Sequence, residues 1–160
     1  MIYVTVGTQK FQFDRLLKYV DIAIEKGDIK EEVFAQVGHS TYKPKNYKYS
    51  KFISKSDCID VVDKSNIIIT HGGSGSIIES LQKCKKVLAI PRNCEFEEHV
   101  DNHQFELVNK LAKEKILLSA NSEQEFLEKI REIKLFKPKE ISKILDNCSR
   151  VQNIIDEFLK

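Results

Sequence analysis

The chain has 160 residues, enough for one domain with its own core, and its 41% hydrophobic and 31% charged content is that of an ordinary globular protein. A formal net charge of +2 is too mild to indicate nucleic acid as a partner. No apolar run approaches the roughly 18 to 20 residues needed to cross a bilayer.

Residues 2–6 are an apolar run ending at Gly7-Thr8, a first strand and its loop. The run lacks a basic flank and a small-residue cleavage site, so it is not read as a signal peptide. Residues 11–25 carry Phe13, Leu16, Leu17, Val20 and Ile24 at helical spacing, with Gly27 as the stop. Residues 32–37 read as the second strand, ending at Gly38-His39-Ser40. Residues 42–51 are aromatic, basic and interrupted by Pro44, which predicts a loop, and 51–54 a short strand. Ser56 or Asp57 caps a helix running to Asp63, with Ile59 and Val62 turned inward.

Residues 66–70 form the next strand, and 74–84 a helix that packs Ile77, Ile78 and Leu81 on the sheet. Residues 86–90 are a strand ended by Pro91, 92–98 a polar loop, and 99–114 a helix with Phe105, Val108 and Leu111 apolar. A last short strand at 115–118 precedes a helix capped by Asn121 or Ser122. Pro138 breaks the chain before an amphipathic terminal helix over 140–159. Strands alternating with helices predict an α/β fold, a Rossmann-like parallel sheet with helices on both faces. No linker or repeat divides the chain, so residues 1–160 are read as a single domain with a C-terminal helix from about 139. Ligands of such sheets bind at the carboxyl ends of strands, where the Gly7, His39, His71 and Pro91 loops should meet.

Two blocks carry chemistry. In the first, the strand feeds His71-Gly72-Gly73-Ser74-Gly75-Ser76 and then a helix start, the order that holds a diphosphate. Glycines let backbone approach an anion, and free N–H groups at a helix start point at it. His71 is placed to donate to a phosphate oxygen. Glu79, two turns along, is of the wrong sign for phosphate and suited to the hydroxyls of a ribose diol; the alternative is a solvated surface residue. A P-loop needs Lys and then Ser or Thr after its last glycine, where Ser76 and Ile77 stand. The dinucleotide fingerprint needs a small residue where Ile78 stands. The second block is Glu98-His99-Val100-Asp101-Asn102-His103-Gln104, rich in groups that match sugar hydroxyls, or else a solvated helix start.

Metals are not expected. Cys58, Cys84, Cys94 and Cys148 form no C-x-x-C pair and read as free thiols of a reducing cytosol. His99 and His103 are four apart, but Val100 replaces the glutamate of a zinc-hydrolase helix and no third ligand is evident. No Asp-x-Asp motif is present.

The strand start Ile2-Tyr3-Val4-Thr5-Val6-Gly7-Thr8, the His71-to-Glu79 loop and the Glu98-to-Gln104 block, in that order, resemble the donor-binding half of inverting nucleotide-sugar transferases. More narrowly, the chain is similar to the family 28 C-terminal type, found as small catalytic subunits of split transferases. These include bacterial capsule and exopolysaccharide enzymes and the soluble subunit of the eukaryotic enzyme that extends dolichol-linked GlcNAc. The resemblance implies the C-terminal half of a GT-B fold, a UDP-sugar donor, and no tightly bound cofactor. It also implies a cytoplasmic chain held at the inner membrane face by a membrane-anchored partner presenting a lipid-linked saccharide. It assigns Gly7, Thr8 and the residues from His71 to Ser76 to the diphosphate, Glu79 to the ribose, and Asn102, His103 and Gln104 to the donor sugar. Arg92 either neutralises diphosphate charge or is solvated. His39 and His71 are the candidate catalytic residues, with a group of the partner as the other source of a base. A non-catalytic, nucleotide-sugar-binding regulatory subunit is the alternative. A hydrolase or epimerase of this fold needs two complete halves in one chain.

Overall fold

A computed structural model describes residues 1–138. The expected terminal helix lies outside them. Six parallel strands form one sheet: β1 (Ile2–Thr5), β2 (Val33–Gln36), β3 (Lys48–Ser50), β4 (Ile67–His71), β5 (Lys86–Ile90) and β6 (Leu118–Ser119). Their spatial order is β3-β2-β1-β4-β5-β6. The order reverses between β1 and β4, which pair Ile2 with Ile67 through Thr5 with Thr70. In an open α/β sheet a crevice opens at that reversal, outside the carboxyl ends of the two strands.

Among the described residues five α-helices cover the sheet: α1 (Asp14–Glu25), α2 (Lys55–Lys64), α3 (Ser74–Gln82), α4 (His103–Lys113) and α5 (Glu123–Glu132). The strands are apolar on both faces because both are covered, and their residues part by alternation. Ile2, Val4, Ile67, Ile69, Leu88 and Ile90 join the core under α1 and α5. Val87 and Ala89 pack with Ile77, Leu81, Val108 and Leu111 of α3 and α4, while Tyr3 and Ile68 pack with Val62 of α2.

Several expected boundaries move for identifiable reasons. Helix α1 begins at Asp14, not near 11, because the Phe13 N–H donates to Ser40 Oγ and Gln12 Oε1 accepts from the Asp14 N–H. The third strand occupies 48–50, inside the stretch expected to be loop. It is the sheet's edge, where exposed polar residues are tolerated. Residues 51–54 are not strand, and the Ile53 N–H goes to Gln36 Oε1. Ser54, not Ser56 or Asp57, caps α2 by accepting from the Asp57 N–H, and that registers Val62 inward but leaves Ile59 37% exposed. On α3, Ile77 and Leu81 are buried while Ile78 is only partly covered. Helix α4 starts at His103 rather than 99, after a turn in which Asp101 Oδ1 accepts from the His103 N–H. The last strand falls at 118–119 instead of 115–118, since Lys115 turns the chain with φ of 57°.

Candidate functional site

A cleft of about 550 Å³ opens at the predicted crevice. The loop after β1 (Gly7, Thr8, Gln9), His71 at the end of β4 and the first turn of α3 (Ser74, Gly75, Ser76) line it, with Glu79 further along the helix. A second wall was not legible in the sequence. It comprises Gln36, Ile53, Ser54, Lys55 and Cys58, brought in by β2 and the start of α2. Gln36 ties the two sides, since its side-chain amide donates to the Gly7 carbonyl and its Oε1 accepts from the Ile53 N–H. Tyr3, Val62 and Ile68 also line the cleft. Burial first, then the neighbouring Cys58, pushes the Tyr3 phenol up, and burial likewise raises the Cys58 thiol. Tyr3 and Cys58 are therefore a neutral pair at pH 7 within the lining. Glu79 lines the same cleft, and its carboxylate adds a smaller upward push on both groups.

The glycines of the His71 loop divide into two kinds. His71 is 7% exposed and its ring fills the space between Gly7 and Gly73. A Cβ on Gly7 would lie 2.7 Å from His71 Cε1, and one on Gly73 would collide with Nε2. Gly7 also has φ of +76°, a conformation that side chains disfavour. A Cβ on Gly72 would meet Gln104 Cβ at 2.7 Å. These three positions need glycine for packing, a structural demand that sequence inspection does not reveal. Gly75 differs: nothing lies within 4 Å of its Cβ position, and the residue lines the cleft. Burial, reinforced by the Arg92 guanidinium, pushes His71 down to about 4, so its imidazole is neutral at pH 7. It offers a hydrogen bond and no charge. Gly73 caps α3 without a side-chain acceptor, so the first-turn N–H groups face the cleft side of the helix dipole unsatisfied by any cap.

The second block is divided by the fold. Gln104 is 2% exposed, and its Oε1 accepts from the Gly72 and Arg92 backbone N–H groups, joining the His71 loop to the loop after β5. Asn102 Oδ1 accepts from the Cys94 N–H, and His103 is exposed with Nδ1 on Asp101 Oδ1. Neither Asn102 nor His103 lines the cleft of this chain. His39 also stands outside it, edge-on to Phe52 with centroids 5.3 Å apart.

Arg92 is neither solvated nor a cleft residue. It is 1% exposed and donates to the carbonyls of Val6, Phe11, Gln12 and Glu98, strapping the loop after β5 to the loop after β1. Its Nε is the one buried side-chain polar atom among the described residues with no partner. A bidentate pair between Arg15 and the buried Glu98 carboxylate, at 2.8 and 2.9 Å, closes the same strap from α1. No local pattern in the sequence signals either contact.

The model of the glycosyltransferase family 28 C-terminal domain matches residues 1–158. The chain belongs to this family. Among relatives of the family 28 domain, the UDP-N-acetylglucosamine transferase subunit ALG13 of Mus musculus is 33% identical over 122 residues. The match takes in 70% of this chain and 10% of that protein. The Homo sapiens ALG13 is 29% identical over 122 residues, again 10% of its length, so the chain spans about a tenth of these curated relatives. The solution structure of ALG13 aligns with a TM-score of 0.57 at 20% identity, covering 86% of this chain and 87% of that one. The calicheamicin glycosyltransferase CalG4 aligns at 0.59 and 14% identity, covering 98% of this chain but 39% of CalG4. MurG of Acinetobacter baumannii aligns at 0.53 and 13% identity, covering 90% of this chain and 48% of MurG. The family 28 domain thus has the Rossmann-like fold of one lobe of a GT-B glycosyltransferase. No described helix is long and apolar enough to cross a membrane.

Proposed function

We propose that this family 28 domain is the donor-binding, catalytic subunit of a two-part inverting glycosyltransferase that uses a UDP-sugar. The observation that carries the reading is Gly75. It is a glycine with no packing or backbone demand, at an uncapped helix start that lines the cleft, four residues before a half-buried glutamate. An anion can approach the backbone there, and the diphosphate, with Ser74, Ser76 and Thr8 as further donors, fits that approach. Glu79 takes the ribose hydroxyls, and the neutral Tyr3–Cys58 wall suits an uncharged base. Asn102, His103 and Gln104 are assigned to the donor sugar by the family resemblance; of these, Gln104 acts through its grip on the Gly72 backbone.

In the reaction an acceptor hydroxyl attacks the anomeric carbon, the bond from that carbon to the diphosphate oxygen breaks, and UDP leaves with inversion. The N–H groups of α3 and the neutral His71 stabilise the leaving charge, with no metal needed at the diphosphate. A group with so low a pKa is a poor proton acceptor at neutral pH, so the proton goes to His39 or to a base of the partner. We assign the acceptor, a lipid-diphosphate-linked saccharide of capsule, exopolysaccharide or N-glycan precursor synthesis, to a separate membrane-anchored subunit. The pairing holds this chain at the cytoplasmic membrane face.

The test is calorimetry with UDP, NAD and ATP, followed by transfer assays with and without the co-expressed partner. Binding of UDP alone, and transfer only by the pair, is expected, because the second subunit supplies proximity to the acceptor. Tight NAD binding without UDP binding sinks the assignment. Efficient transfer by the purified chain alone sinks the two-part model. A regulatory, non-catalytic subunit is the second reading. It draws on the composition of the cleft, where Glu79 is the single carboxylate and His71 the single imidazole among the described lining residues. UDP binding with no transfer by any reconstituted pair decides for it.

A further inference from the structure

Outside the cleft, the turn that leads into α4 brings three metal-ligating side chains together. His99 Nδ1 lies 3.3 Å from Asp101 Oδ1, and His103 Nδ1 closes on the same oxygen. One ligand atom from each residue lies within 4.8 Å of the other two. The imidazole rings meet edge to face, centroids 4.8 Å apart. The Asp101 N–H lies 3.4 Å from His99 Nδ1, and Asp101 Oδ1 lies 3.3 Å from the same nitrogen. The three side chains thus hold one another through hydrogen bonds whose acceptor lone pairs a metal ion can take over, releasing protons as it binds. The separation of His99 Nδ1 from Asp101 Oδ1 matches the edge of a tetrahedron of ligands about 2.0 to 2.1 Å from zinc, whereas the His103 ring lies closer to that oxygen and must draw back by a small rotation to share the ion.

An ordinary helix start explains only part of this. Asp101 Oδ1 accepts from the His103 N–H at 3.1 Å, as a carboxylate before a helix does, and the buried His99 ring is brought to the same carboxylate, which a helix start does not require. The turn is held at both ends, by Glu98 in its pair with Arg15 and by Gln104 under the His71 loop. Phe11 packs on the buried His99 ring at 5.5 Å, while Asp101 and His103 stay open to solvent and give an ion its path in.

We propose that His99, Asp101 and His103 form a binding site for a divalent transition metal of the zinc class, with solvent completing the coordination. Two imidazoles and one carboxylate are a donor set for zinc, cobalt or nickel, whereas magnesium and calcium favour oxygen alone. The ion staples the turn between residues 98 and 104 to the start of α4. Ligation through His103 Nδ1 keeps its Nε2 for a sugar hydroxyl, so the site stands beside the transferase reading without depending on it.

Zinc chloride titrated into the full chain by calorimetry tests the proposal, with unfolding temperature recorded at rising zinc. One equivalent should bind and the unfolding temperature should climb with zinc concentration. His99→Phe keeps a ring against Phe11 and removes the ligand, and His103→Gln changes an exposed side chain. Each variant should bind zinc at least about tenfold more weakly and lose the thermal response, with an unchanged far-ultraviolet circular dichroism spectrum. Absence of zinc binding by the wild-type chain, or binding that is unaltered in both folded variants, overturns the site.

Discussion

Replacement of Gly75 by alanine separates stability from binding in opposite directions. Gly75 is the second residue of α3, its φ lies outside the left-handed region, and its Cβ position touches nothing within 4 Å. Alanine there removes the entropic cost of a helical glycine, about 1 kcal/mol in a helix interior and about half of that in a first turn. The expected gain of roughly 0.5 to 1 kcal/mol corresponds to a rise of about 1 to 4 °C in unfolding temperature for a chain of this size. The added methyl, however, stands in open space at a residue of the cleft lining, beside N–H groups that a diphosphate must reach at about 2.9 Å. Displacing the anion by a methyl's breadth costs about 1 to 3 kcal/mol, a loss of roughly 5- to 150-fold in UDP affinity. Urea unfolding gives the first quantity and calorimetry with UDP the second. A Gly75→Ala variant that binds UDP as tightly as the parent refutes the reasoning, because the phosphates then do not approach this backbone. A destabilised variant refutes the structural half of it.

Glu79→Ala should weaken UDP binding by about 1.5 to 3 kcal/mol through lost ribose hydrogen bonds while leaving the fold intact; unchanged affinity in calorimetry would move Glu79 out of the site. Gln104→Ala should cost about 2 to 4 kcal/mol in urea unfolding, since two buried N–H groups, of Gly72 and Arg92, lose their acceptor. His71 makes stability depend on pH. Its folded pKa of about 4 lies below the unfolded value of 6.5, so the unfolded state binds more protons between them. The stability it confers is complete above 6.5 and is lost as pH falls towards 4, by up to about 3 kcal/mol. Denaturant titrations at both pH values should show that fall in the wild type and a smaller one in His71→Asn; equal falls would reject the assignment.

The strands, the helices and the His71 loop were legible because each is written in neighbouring residues. The apolar run at 67–70, the glycine turn and the 3.6-residue spacing from Ile77 to Leu81 are local signals, and alternation of strand and helix implies a parallel sheet. The edge strand at 48–50 was hidden because an exposed edge leaves no apolar signature. What tertiary structure decided lies between residues far apart in the chain. Arg92 reads as a surface or phosphate-binding cation until Val6, 86 positions away, offers its carbonyl. Glu98 reads as solvated until Arg15, 83 positions away, pairs with it. Gly72 and Gly73 read as phosphate-loop glycines until the fold sets Gln104 and His71 against them, leaving Gly75 with space around it. A charge enters a protein interior only with partners to replace water, and a glycine is required only where another group crowds it. Those partners converge at the β1–β4 reversal, and strand order, which no local pattern records, places them there.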